Sequence, residues 1–147
     1  MAFRTLKVKG DKISFLAHAD SREVLLGDEA AVVFVIDGGG VAITTGQKGH
    51  ISLPFAGTII SATLLADRSG SISIDIWKDT YANFPATDAD TITASAVPTI
   101  TTATKSQDAT LTGWTTAITA GDHLRFNVDS ITTCERVTVA LKIKKTA

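Results

Sequence analysis

Cysteine is all but missing, with Cys134 alone in 147 residues. A lone thiol rules out an intrachain disulfide and a cysteine-cluster metal site. Charge of either sign is not in excess: 14 basic residues face 15 acidic ones, a net of -1. That balance argues against nucleic acid or an anionic membrane as the partner. No apolar run approaches the length of a membrane-spanning helix. The opening MAFRTLKVKGDK has no apolar segment followed by a cleavage site, so no secretory leader is expected. A 3.6-residue apolar stripe is absent too, which argues against helices.

What is present is β-branched. Threonine is frequent, and with Val and Ile it favours pleated surfaces. Hydrophobic residues make up 44% of the chain, enough for the core of one domain. The central stretch is 64–85, LLADRSGSISIDIWKDTYANFP. Asp67-Arg68-Ser69-Gly70 predicts a turn. Beyond it Ile72, Ile74 and Ile76 alternate with Ser73, Asp75 and Trp77, the period of a strand with one buried face. Together they predict a hairpin whose isoleucine face seeks a partner sheet.

The other segments follow in order. Residues 3–9 and 13–17 predict a hairpin, and 18–29 a loop or one helical turn; 1–29 is read as an N-terminal arm and 30–147 as the main domain. Ala30 to Ile36 is a short apolar run ending in Gly38-Gly39-Gly40, the pattern of a buried strand. Strands are expected at 48–54 and 58–66, the latter with Ile60, Ala62 and Leu64 on one face and Ile59 and Leu65 on the other. Residues 86–110 predict a long connection with short edge pieces near Ile92 and Ile100. After the Ala120-Gly121-Asp122 turn, Leu124, Phe126 and Val128 alternate with polar residues, as do Val137, Val139, Leu141 and Ile143. Many short strands with regular turn signals predict an all-β fold, an antiparallel β-sandwich of jelly-roll type. Its layers would bury the 72–76 face against 124–128 and 137–143.

Candidate sites are each weighed against a plainer reading. The glycine run lacks the lysine, hydroxyl and following helix of a phosphate loop, so a strand connection is preferred. His18, His50 and His123 show no metal-pair spacing. Asp79, Asp88 and Asp90 suggest calcium ligands, but the loop lacks the rest of a calcium motif, and solvated turn residues fit better. No catalytic residue, cofactor or metal ligand is assigned. Cys134 reads as a reduced, partly buried thiol. Trp77, Tyr81, Phe84 and Trp114 are the stronger group, a candidate interface or glycan platform, because aromatics bury large areas at little rotamer cost.

Three strings carry a resemblance: VFVIDGGGVAITTGQKGHISLPFAGTI at 33–59, LLADRSGSISIDIWKDTYANFPATDADTITAS at 64–95, and DATLTGWTTAITAGDHLRFNVDS with RVTVALKI at 108–130 and 136–143. They resemble a β-rich module of tailed-bacteriophage structural proteins, found in capsid-decoration, head-fibre and tail-fibre proteins. The resemblance spans roughly 32–144 and leaves the arm outside. It implies a non-enzymatic virion component, made in the host cytoplasm, often trimeric, with the major capsid protein or another virion protein as partner. A short chain fits a capsid decoration protein best; the alternative is a tail- or head-fibre adhesin binding host-surface glycan. A free-standing carbohydrate-binding module and a glycan depolymerase are the rival classes.

Overall fold

A computed structural model describes residues 28–146 in full, together with the backbone of three N-terminal strands. Those strands are β1 (Thr5–Lys9), β2 (Lys12–Ala17) and β3 (Asp20–Leu25), an antiparallel meander in the order β1-β2-β3. The expected hairpin is there as β1 and β2. The loop expected over 18–29 is corrected, since β3 is a strand throughout its six residues. The readings at Phe3, the Gly10-Asp11 turn and His18 fall outside the described residues.

Seven strands form the main sheet: β4 (Glu29–Asp37), β5 (Gly46–Ser52), β6 (Gly57–Asp79), β7 (Thr99–Asp108), β8 (Ala117–Ile118), β9 (His123–Thr132) and β10 (Arg136–Lys145). The expected all-β, antiparallel fold is what the chain adopts. The layers take the form of one curled sheet in the order β4-β10-β6-β9-β5, with β7 and β8 also pairing β6.

Strand β6 replaces the predicted hairpin. It runs unbroken for 23 residues and changes partners midway. Residues 57–66 pair with β10, and residues 71–79 pair with β9. The run Asp67 to Gly70 is the corner between the two registers. Asp67 Oδ1 accepts hydrogen bonds from the backbone N–H of Glu135 at 3.1 Å and Arg136 at 3.0 Å. The Thr133 hydroxyl donates to Ser69 O at 3.0 Å, and Arg68 pairs with Glu135 at 2.7 Å. Turn-forming residues therefore make a bend, because the β9–β10 connection supplies partners for the polar groups that a hairpin would turn to water.

Residues 86–110 are also corrected. They hold a ten-residue strand, β7, that follows β6 around its corner, with 105–108 beside 62–65 and 99–103 beside 70–73. The faces predicted at 72–76, 124–128 and 137–143 all point inward and are buried, but 124–128 lies beside 72–76 on the neighbouring strand of the same sheet, not in a layer opposite it. One face assignment fails. The register slips between Lys142 and Ile143, so that Ser61 pairs Lys142 and Ile59 pairs Ile143. Ile60 becomes the extra residue of a bulge, and Ile59 turns into the core.

The ends of the sheet meet across this core. Phe34 of β4 stacks on Phe126 of β9, centroids 4.4 Å apart and planes 10° apart. A Cβ on Gly49 of β5 would lie 2.7 Å from Phe34 Cζ, so any side chain there would push the Phe34 ring from this position. Each fully buried Ile, Leu or Phe contributes roughly 1.5–3 kcal/mol.

The corner makes a test. A Cβ on Gly70 would lie 2.5 Å from Thr133 Oγ1, 2.7 Å from Cys134 Sγ and 2.7 Å from Thr132 O. Gly70→Ala is expected to cost about 1–3 kcal/mol through overpacking, read as a lower urea midpoint at unchanged slope. An unaltered midpoint would mean that the corner is loosely packed.

Candidate functional site

The outer face of the β5-β9-β6 half carries the sheet's polar positions in rows. Register places Ser52, His123 and Asp79 in one row, and His50, Arg125 and Trp77 in the next. The segment after β6 folds back over this face. It opens with a 3₁₀ turn at Tyr81–Asn83. Asp79 Oδ1 shapes that turn, accepting from Thr80 N at 2.7 Å and Asn83 Nδ2 at 3.1 Å. A second 3₁₀ turn, Asp88–Asp90, is closed when Asp90 Oδ2 accepts from the Thr87 N–H and hydroxyl. These bonds hold the Asp90 carboxyl below the usual carboxylate range. Two of the three aspartates considered for calcium thus serve as turn caps, and among the described residues no group of three or more metal-ligating side chains forms.

Asp75 pins the segment's far end. Sequence alternation turns it away from the isoleucines, yet it is buried. Its Oδ1 accepts from Ile76 N at 2.7 Å, the Thr91 hydroxyl at 2.7 Å and the Thr93 hydroxyl at 2.5 Å. Its Oδ2 accepts from Trp77 Nε1 at 2.7 Å. Four donors offset the cost of desolvating the carboxylate. A bridge between Trp77 and Thr91 and a bond from Ile92 N to Ile76 O at 2.9 Å complete the attachment. Arg125 clamps the middle. Its guanidinium lies 5.6 Å from the Trp77 ring centre, donates to Ala86 O at 2.7 Å and also donates to Gln47 Oε1.

The four aromatics marked from the sequence therefore do not form one platform. Trp77, at 4% exposure, lies under its own chain. Trp114 is a core residue whose Nε1 donates to Ala96 O at 2.9 Å. Tyr81 and Phe84 are exposed, at 79% and 46%. They form a ledge with two histidines. Phe84 lies 4.7 Å from His50 and 5.6 Å from His123, and Tyr81 lies 5.7 Å from His123, centroid to centroid. Sequence spacing hid this pairing of His50 and His123, because only the β5–β9 register brings them together. Asp122 does not orient His123: its Oδ2 takes Lys78 Nζ at 3.1 Å and Thr119 N at 2.8 Å. The ledge offers ring faces for stacking, with imidazoles and the Tyr81 hydroxyl at its edge.

The other marked residues have structural roles. Asp37 Oδ1 accepts from Gly39 N at 2.7 Å, and Gly39 and Gly40 take φ of 72° and 87°, so the glycine run is a strand connection. Cys134 is a buried free thiol at the β6 corner, and burial, then the Asp67 carboxylate, pushes its pKa up. No family model matches the chain, and no curated protein matches it either.

Asp75→Ala is expected to destabilise the fold by about 2–4 kcal/mol, since it strands buried donors, and to shift Trp77 emission to longer wavelength. An unchanged spectrum would show that the segment holds without Asp75. His50 generates a pH prediction. Desolvation, then Arg125, then His123 hold its imidazole below its ordinary value of 6.5. The fold thus disfavours the charged ring: stability is full above the unfolded value and declines as pH falls through 6.5 towards the lower folded value. His50→Gln is expected to flatten the fall of Tm between about pH 7 and about pH 5. A variant with an unaltered slope would assign that fall to other groups.

Proposed function

We propose that the chain is a non-enzymatic structural subunit of a tailed-bacteriophage virion, a decoration protein that packs on the capsid shell as an oligomer. Its partners are further copies of itself and the major capsid protein or another virion protein. The resemblance of the strings at 33–59, 64–95, 108–130 and 136–143 supports this reading. So does the design of the body, a curled sheet whose two halves share one strand and one core. The observation that carries it is the N-terminal meander, whose described strand pairs all lie within itself. A rigid body preceded by a small separate sheet suits a subunit that must grip a neighbour.

The fibre adhesin remains the second reading, favoured by the ledge. Tyr81 stands almost fully exposed on a turn that Asp79 holds in shape, and a preformed aromatic surface suits a sugar ring.

One experiment separates the two. Purified chain is mixed with expanded capsids that lack it, and in parallel with host cells. Co-sedimentation with the capsids, unaffected by Tyr81→Ala, is the expected result. Binding to cells alone, abolished by Tyr81→Ala, would replace the decoration reading with the adhesin.

A further inference from the structure

The two ends of the main sheet are unlike. β5 carries Lys48 and His50, and its pairing with β9 slips between Gln47 and Gly49. Charges and irregular register are the usual protection of a sheet edge. β4 carries charge only at its two ends, Glu29 and Asp37, and has no register slip. Its nine residues pair with β10 in unbroken register, and residues 30–36 read AAVVFVI, without charge or proline. A regular strand at the end of a sheet presents a continuous line of backbone donors and acceptors. Val33 and Val35, on its outer face, are 49% and 50% exposed.

We propose that this edge is a homotypic interface, in which β4 of one copy pairs antiparallel with β4 of a second copy about a two-fold axis at Val33. Between its charged ends the strand is self-complementary in that register. Val33 meets Val33 and Val35 meets Ala31, so β-branched and small apolar residues face each other across the seam. The ends place Glu29 opposite Asp37. Each carboxylate already has a cation on its own sheet: Lys142 at 2.6 Å from Glu29 and Arg136 at 2.7 Å from Asp37. The bond from Gly39 N and then Arg136 hold the Asp37 carboxyl below its usual range, so it stays charged and paired. The seam thus sets like charges opposite each other at its two ends, a cost that Lys142 and Arg136 offset from within each sheet. A second copy is the occupant because the strand's two halves complement each other with no further component, the condition for an isologous contact. Such pairing gives even-numbered assemblies, in contrast to the trimer that the family resemblance implies. The proposal stands apart from the virion reading, since it concerns the purified chain alone.

The test uses the full chain. Sedimentation is expected to give an even multiple of the chain mass. Val33→Lys with Val35→Lys is expected to halve that mass at unchanged circular dichroism, whereas Leu65→Lys, half-exposed on the same outer face but away from the edge, leaves it intact. Val33→Cys gives an independent readout that does not add charge. Opposed strand residues lie about 4.5–5.5 Å apart at Cα, within disulfide reach, and Cys134 is buried. Mild oxidation is expected to link Val33→Cys into a reducible dimer, and Leu65→Cys not. A monomeric or trimeric native chain would overturn the proposal. So would a mass indifferent to the lysines, or crosslinking no greater at position 33 than at 65.

Discussion

A single strand is held in common by both halves of the molecule. β6 lends residues 57–66 to one half and 71–79 to the other, so neither half has a complete sheet without it. The bend between them brings the buried faces of the two halves together, and Asp67 fixes that bend by accepting the N–H groups of Glu135 and Arg136. Its carboxyl is held below the usual range by those bonds, that of Arg136 first. Gly70 leaves room for the β9–β10 connection to close against the corner. The corner, the stacked Phe34 and Phe126, and the core form one cooperative unit, because a shift in β6 would open both halves at once.

The outer faces of the halves have different fates. Behind residues 71–79 the chain returns over its own sheet, and Asp75 and Arg125 fasten it there. That covers Trp77 and lifts Tyr81 and Phe84 into solvent above two histidines. Behind residues 57–66 no comparable return occurs among the described residues, and Val33, Val35 and Leu65 stay about half exposed. One face is thus closed by the chain itself, and on the other Val33, Val35 and Leu65 are not covered by a return of the chain among the described residues.

Alternation alone suffices for the class of fold and for much of the core. The inward residues at 72–76, 124–128 and 137–143 are legible because a strand's side-chain period of two holds whatever the partner. The buried thiol and the glycine connection are local facts as well. Long-range pairing is different, since no local signal records which strand lies alongside. The corner at Asp67 to Gly70 reads as a turn until Glu135 and Arg136 supply its hydrogen-bond partners. β7 reads as a connection because its threonines and Lys105 fit either state until β6 lies beside it. Ile59 reads as outward until a bulge opposite Lys142 and Ile143 reverses it. The same holds for the ledge: residues of one face meet only through register, so His50, His123, Tyr81 and Phe84 become neighbours when β5, β9 and β6 are in place, and Trp77 and Trp114 leave the set because packing buries them.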